Sequence, residues 1–142
     1  MGAWGHEIFQ DDAPYDYLDD IAADPLAFFS AAITTAKASD YLEYDEGQAV
    51  LVAAAFMDNR LNQTHFSNDN EDSEGLDNVN NFYRLRQNLE VGHLVPGMIT
   101  ALTKVVNEQS ELNELWAENE ELYPQWKEQI EKLSARLASS LG

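Results

Sequence analysis

The sequence predicts an all-α fold, a single helical domain over residues 1–142 built as a bundle of about six or seven helices with a long acidic loop near residues 61–80. Three observations carry this. Apolar residues recur at spacings of three and four through most of the chain, helix-start signals of an acid or serine before the first turn, or a proline within it, recur, and no stretch alternates apolar and polar residues long enough to read as a strand. With 142 residues, 44% of them hydrophobic and 11% aromatic, one core suffices and wholesale disorder is not expected.

The opening, Met1 to Gln10, has no helical period and reads as an arm held down by Trp4 and Phe9. Asp11-Asp12-Ala13-Pro14 then starts a short helix to about Ala22, and Asp24-Pro25 starts a second with Leu26, Phe29, Ile33 and Ala36 on one face. After Tyr41 to Gly47, the segment Gln48 to Arg60 is apolar all round from Ala49 to Met57 and reads as a central helix. Leu61 to Asn80 is polar, with Asp69, Glu71, Asp72, Glu74 and Asp77 crowded together, and reads as an exposed, mobile acidic loop. Helical period returns with Phe82, Leu85 and Leu89, breaks from Gly92 to Gly97, and resumes with Ile99, Leu102 and Val106, a pattern suited to two helices kinked at Pro96. Ser110 caps a helix carrying Leu112, Leu115 and Trp116; Pro124 opens the last, with Trp126, Ile130, Leu133 and Leu137.

Charge narrows the function. The formal net charge is −18, and residues 1–80 hold 17 acids against 2 bases. Phosphates would be repelled by such a surface, which argues against nucleic acid and for a basic protein partner. The longest apolar run is too short to cross a bilayer, the N-terminus has no signal-peptide pattern, and His6 stands where a myristoylation motif wants Ser or Thr. No cysteine occurs, so the expected location is the cytoplasm, with no membrane association.

No constellation assigns catalytic roles. Glu90 and His93 match one Glu-x-x-His unit, but a di-iron bundle needs two, and His6-Glu7 lacks the second histidine of a zinc-protease motif because position ten is Gln10. Adjacent acids occur at Asp11/Asp12, Asp19/Asp20, Asp45/Glu46 and Glu120/Glu121, and neighbours on a helix point in different directions, so caps and solvated faces account for them. Trp116 and Trp126 sit at helical spacing with leucines and read as packing. The expectation is a protein with no catalytic residue, metal or other cofactor.

Met1-Gly2-Ala3-Trp4-Gly5, Phe9, Asp11-Asp12-Ala13 and Asp16 resemble the opening of a bacterial family known only as a domain of unknown function. Tyr41-Leu42-Glu43 with Asp45-Glu46, and Ser110-Glu111-Leu112 with Glu114-Leu115-Trp116 and Trp126, resemble its middle and C-terminal signatures, so the likeness spans nearly the whole chain. The sequence departs from the pattern at His6-Glu7-Ile8 and in the acidic insertion around 67–78. The resemblance implies a small helical protein without established enzymatic activity, some of whose relatives resemble the immunity proteins of contact-dependent or polymorphic toxins. Together with the charge, it points to an immunity protein that neutralises a basic toxin domain such as a nuclease. The alternatives are a housekeeping protein-binding module and a carboxylate-dependent hydrolase. The expected contact residues are Asp69, Glu71, Asp72, Glu74 and Asp77, with Asp11, Asp12, Asp19, Asp20, Glu43 and Glu46 as a second surface.

Overall fold

A computed structural model of the protein describes residues 5–141, so Trp4, expected to anchor the N-terminal arm, lies outside the described residues. Among these residues are seven α-helices and no strand, with Leu42 and Ser110 forming one isolated parallel bridge. The helices are α1 (Leu18–Ala23), α2 (Pro25–Ala38), α3 (Tyr44–Asn62), α4 (Phe82–Leu85), α5 (Val95–Val105), α6 (Glu111–Ala117) and α7 (Tyr123–Ser139).

The centre is α3. Every residue from Val50 to Asn59 is buried, because α2, α4, α5, α6 and α7 all pack around it. It begins a turn earlier than the apolar run suggests, at Tyr44, where the Glu46 carboxylate accepts the Glu43 amide at 2.9 Å and supplies a partner that the first turn lacks. It ends at Gln63, which takes the left-handed conformation at φ 58°. Phe56 forms edge contacts with Phe9 and Phe82, and Phe82 with Phe29, so the N-terminal arm, α2, α3 and α4 share one aromatic cluster. Gly47 lets α6 come close: a methyl there would stand 2.7 Å from Leu112 Cδ1. Trp116 and Trp126 are buried and stacked at 5.8 Å, a packing role as expected.

Three segments differ from the sequence expectation, each for a tertiary reason. Residues 13–17 form a 3-10 turn before α1 rather than α-helix, with the Tyr15 and Tyr17 hydroxyls donating to the Phe9 and Asp45 carbonyls at 2.9 Å each. The helix begun at Phe82 stops after one turn. The Arg60 guanidinium takes the carbonyls of Gln87 and Leu89 at 2.5 and 3.0 Å, and helix through Leu89 is abandoned to reach it. Pro96 kinks nothing. It lies in the first turn of α5, where its missing N–H costs no bond.

The last turns of α3 lock the surrounding segments. Buried Asn59 accepts the Tyr83 amide and donates to the Thr64 carbonyl, both at 2.9 Å, and buried Asp58 accepts from Arg136 Nε of α7 at 2.8 Å.

Candidate acidic binding surface

The five loop acids Asp69, Glu71, Asp72, Glu74 and Asp77 are all exposed, as a binding role requires. Their backbone is nevertheless not the solvated, mobile linker that the composition suggests. Asparagines build its interior. Asn78, 4% exposed, donates to the carbonyls of Glu71 and Ser73 and accepts from the Asn80 amide and the Asn68 side chain. Asn81 reaches the carbonyls of Ser73 and Gly75, Asn70 that of Asp77, and Asn80 both polar groups of the Phe66 backbone. Side-chain amides present a donor and an acceptor at once, so they substitute for the backbone partners that an irregular segment lacks. Beneath them, Val79 is buried and Phe66 and Leu76 pack on the core.

Two acids take part in the scaffold. Asp77 accepts from the Ser73 hydroxyl at 2.5 Å, and Glu71 lies 2.6 Å from His65 Nε2. The Tyr15 hydroxyl, which donates to Phe9, accepts the Asp69 amide at 2.9 Å and thereby ties the loop to the N-terminal segment.

The second surface is only partly available. Asp12, Asp19, Asp20 and Glu43 are exposed. Asp11 is not: at 4% exposure it accepts from the Tyr44 hydroxyl at 3.0 Å, Gln48 Nε2 at 3.1 Å and the Ala13 amide at 3.1 Å, which satisfies its charge internally and withdraws it from any partner. Glu46 is half-buried and committed to the Glu43 amide and the Ser39 hydroxyl. The adjacent acids Asp11 and Asp12 thus diverge, one inward and one outward.

Three tyrosines beside these acids are held above their ordinary pKa, chiefly by burial. Burial pushes Tyr15 up, with Asp69 and Glu71 adding to the rise while the Asp69 amide works against it. Burial likewise raises Tyr17, with Asp45 and Asp16 contributing. Burial beside the Asp11 carboxylate pushes Tyr44 up to about 12. A tyrosine whose folded pKa exceeds its unfolded value of about 10 loses its proton first in the unfolded chain. Its contribution is fully present below pH 10 and is lost as pH rises toward 12. Denaturant titrations are therefore expected to show stability falling across that window, with a shallower fall in Tyr44→Phe; an identical slope would show that Tyr44 is not the coupled group.

Asp45 is not among the contact residues expected from the sequence. It stands exposed at the edge of an open groove of about 250 Å³ floored by Phe28, Ala31, Ala32 and Ala49, with Glu46 beside it. The arrangement suits the aliphatic stem of a lysine or arginine with its cation at Asp45. The adjacent pair Asp45-Glu46 was the available signal; the apolar floor comes partly from α2 and was not. Glu90 and His93 are both exposed around the short 3-10 turn Gly92–Leu94, and no group of three or more potential metal-ligating side chains occurs among the described residues. No helix among them is long and apolar enough to cross a membrane.

No curated protein and no solved structure matches the chain. One family model does, from residue 2 to residue 129, which is most of the sequence, and the chain therefore belongs to the family described as domain of unknown function DUF4259.

Proposed function

We propose that this protein is a bacterial immunity protein that binds and neutralises a basic toxin domain, a nuclease of a contact-dependent or polymorphic toxin system, in the cytoplasm and without turnover. The observation that carries the reading is the exposed cluster Asp69, Glu71, Asp72, Glu74 and Asp77 on a backbone already fixed by Asn68, Asn70, Asn78, Asn80 and Asn81. An ordered loop loses little further entropy on binding, so more of the interaction energy remains as affinity. A net charge of −18 steers a basic partner toward it, and a cleft shaped for phosphates accepts carboxylates at similar positions. Exposed Asp12 and the Asp45 groove extend the contact surface.

The test uses the basic toxin domain that this reading expects the adjacent gene to encode. Its affinity is measured at low and moderate salt for the wild type and for a variant with Asp69, Asp72 and Asp77 changed to Asn and Glu71 and Glu74 to Gln. Charge pairs desolvated at an interface cost about 2–5 kcal/mol each when one partner is removed, so the variant is expected to bind at least a hundredfold more weakly, with reduced salt dependence and no protection of toxin-expressing cells. Its melting temperature should hardly move, because exposed charges contribute little to stability and the amides replacing Glu71 and Asp77 keep an acceptor oxygen toward His65 and Ser73. Asn78→Ala keeps all five charges but loosens the loop, and is expected to fall between the two. Equal affinity, equal salt dependence and intact protection in the neutralised variant would rule out the loop; the lack of any toxin domain that the wild type binds would rule out the immunity reading itself.

A further inference from the structure

A second groove, larger than the one beside Asp45, lies between α2 and α5 and shares no residue with the acidic surface. It measures about 620 Å³, within the range of small-ligand sites of roughly 300–1,000 Å³. Its walls are fixed near both ends. Gly97 allows α5 to meet α2 so closely that a methyl there would lie 2.9 Å from Ile33 Cγ2. Lys104 of α5 donates to the carbonyls of Ala36 and Ser39 at the end of α2, the former at 2.8 Å. Its lining is mainly apolar, from Ile33, Ala36, Pro96, Ile99 and Ala101, with two threonines, an asparagine and a glutamine adding polar groups.

The charge here is inverted relative to the rest of the protein. The chain holds 26 acids and 8 bases, yet the residues lining this groove include two lysines and no carboxylate. Lys37 is exposed and forms no ion pair among the described residues. Lys104 has three N–H donors, of which two serve the carbonyls, leaving one. From Pro96 to Lys104 the lining of α5 runs roughly 12 Å at 1.5 Å per residue, a length suited to an extended aliphatic chain of medium length.

From this combination of an apolar trough, fixed walls and two cations, we propose that the α2–α5 groove binds a medium-chain aliphatic carboxylate, its headgroup at Lys37 and Lys104 and its tail along Ile33, Gly97 and Ile99. Burial of each methylene favours binding by about 0.8 kcal/mol when complete, close to fourfold in affinity, and by less in an open trough. The site is independent of the immunity reading.

Hexanoate, octanoate and decanoate, each below its micelle concentration, are titrated against the full chain while the methyl resonances of Ile33, Ala36, Ile99 and Ala101 are followed by NMR. Saturable shifts confined to these methyls are expected, with affinity rising about two- to fourfold per methylene. Lys37→Gln should weaken octanoate binding about threefold, as removal of a partly exposed charge pair does. Thr100→Phe, which fills the trough from an exposed position, should abolish the shifts while leaving the melting temperature in place. The proposal is overturned if decanoate moves none of these methyls, if the chain-length series is flat, if the shifts persist in Thr100→Phe, or if decylammonium reproduces them. Should Thr100→Phe fail to fold, the Lys37→Gln titration decides: unchanged octanoate affinity rejects the headgroup site.

Discussion

Arg136→Ala is expected to destabilise the protein by about 3–5 kcal/mol, the cost of stranding a buried charge. Asp58 sits on the central helix with its side chain fully buried, and its carboxylate has two partners, Arg136 Nε at 2.8 Å and Asn62 Nδ2 at 2.7 Å. Removing the guanidinium leaves the carboxylate with one neutral donor. The reverse change is milder because Arg136 retains 37% exposure and can turn its charge to water, so Asp58→Asn should cost less than Arg136→Ala. Replacing both partners by apolar residues of similar volume should be nearly neutral. Denaturant unfolding of the three variants checks this ordering, and a loss below about 1 kcal/mol in Arg136→Ala would mean that Asp58 finds a substitute partner.

Truncation after Gln109 is expected to abolish the folded state. The removed segment contributes Trp126, Ile130, Leu133 and Leu137, all buried, together with Leu112 and Trp116. The four residues on α7 alone represent on the order of 6–12 kcal/mol of burial, which rivals a typical total stability of about 5–15 kcal/mol. Loss of α7 would also expose α3 and α5, against which it packs, and strand Asp58 at the same stroke. Circular dichroism, melting and light scattering of the fragment should show lost helix and aggregation. A fragment as stable as the full chain would mean that α6 and α7 are a detachable appendage.

The parts of this fold written in short-range chemistry were readable without coordinates. Asp24 before Pro25 starts α2 by capping the Ala27 amide at 3.2 Å, Ser110 starts α6 by capping Asn113, and Pro124 lies in the first turn of α7. Each signal acts within one turn, and so does the apolar period that assigns Trp126, Ile130, Leu133 and Leu137 to one face. Signals that depend on a distant partner were not readable. Helix beyond Leu85 yields to Arg60, whose target carbonyls lie 27 and 29 residues away, and Asp11 turns inward to Tyr44 and Gln48, 33 and 37 residues along.

For the candidate surface the division is similar. Composition alone marked residues 69–77 as acidic and exposed, because five carboxylates in nine residues cannot be buried without as many partners. It could not reveal that the neighbouring asparagines would turn inward and fix the loop, since the same residues are equally at home in water. By itself the sequence determined an all-helical chain, the faces of its helices, and the strong negative charge, since these depend on residue type and spacing within a few turns. Only the tertiary structure decided which acids remain free, how Asp58 is paired and where two lysines meet an apolar groove, because each is a contact between segments that the chain brings together only on folding.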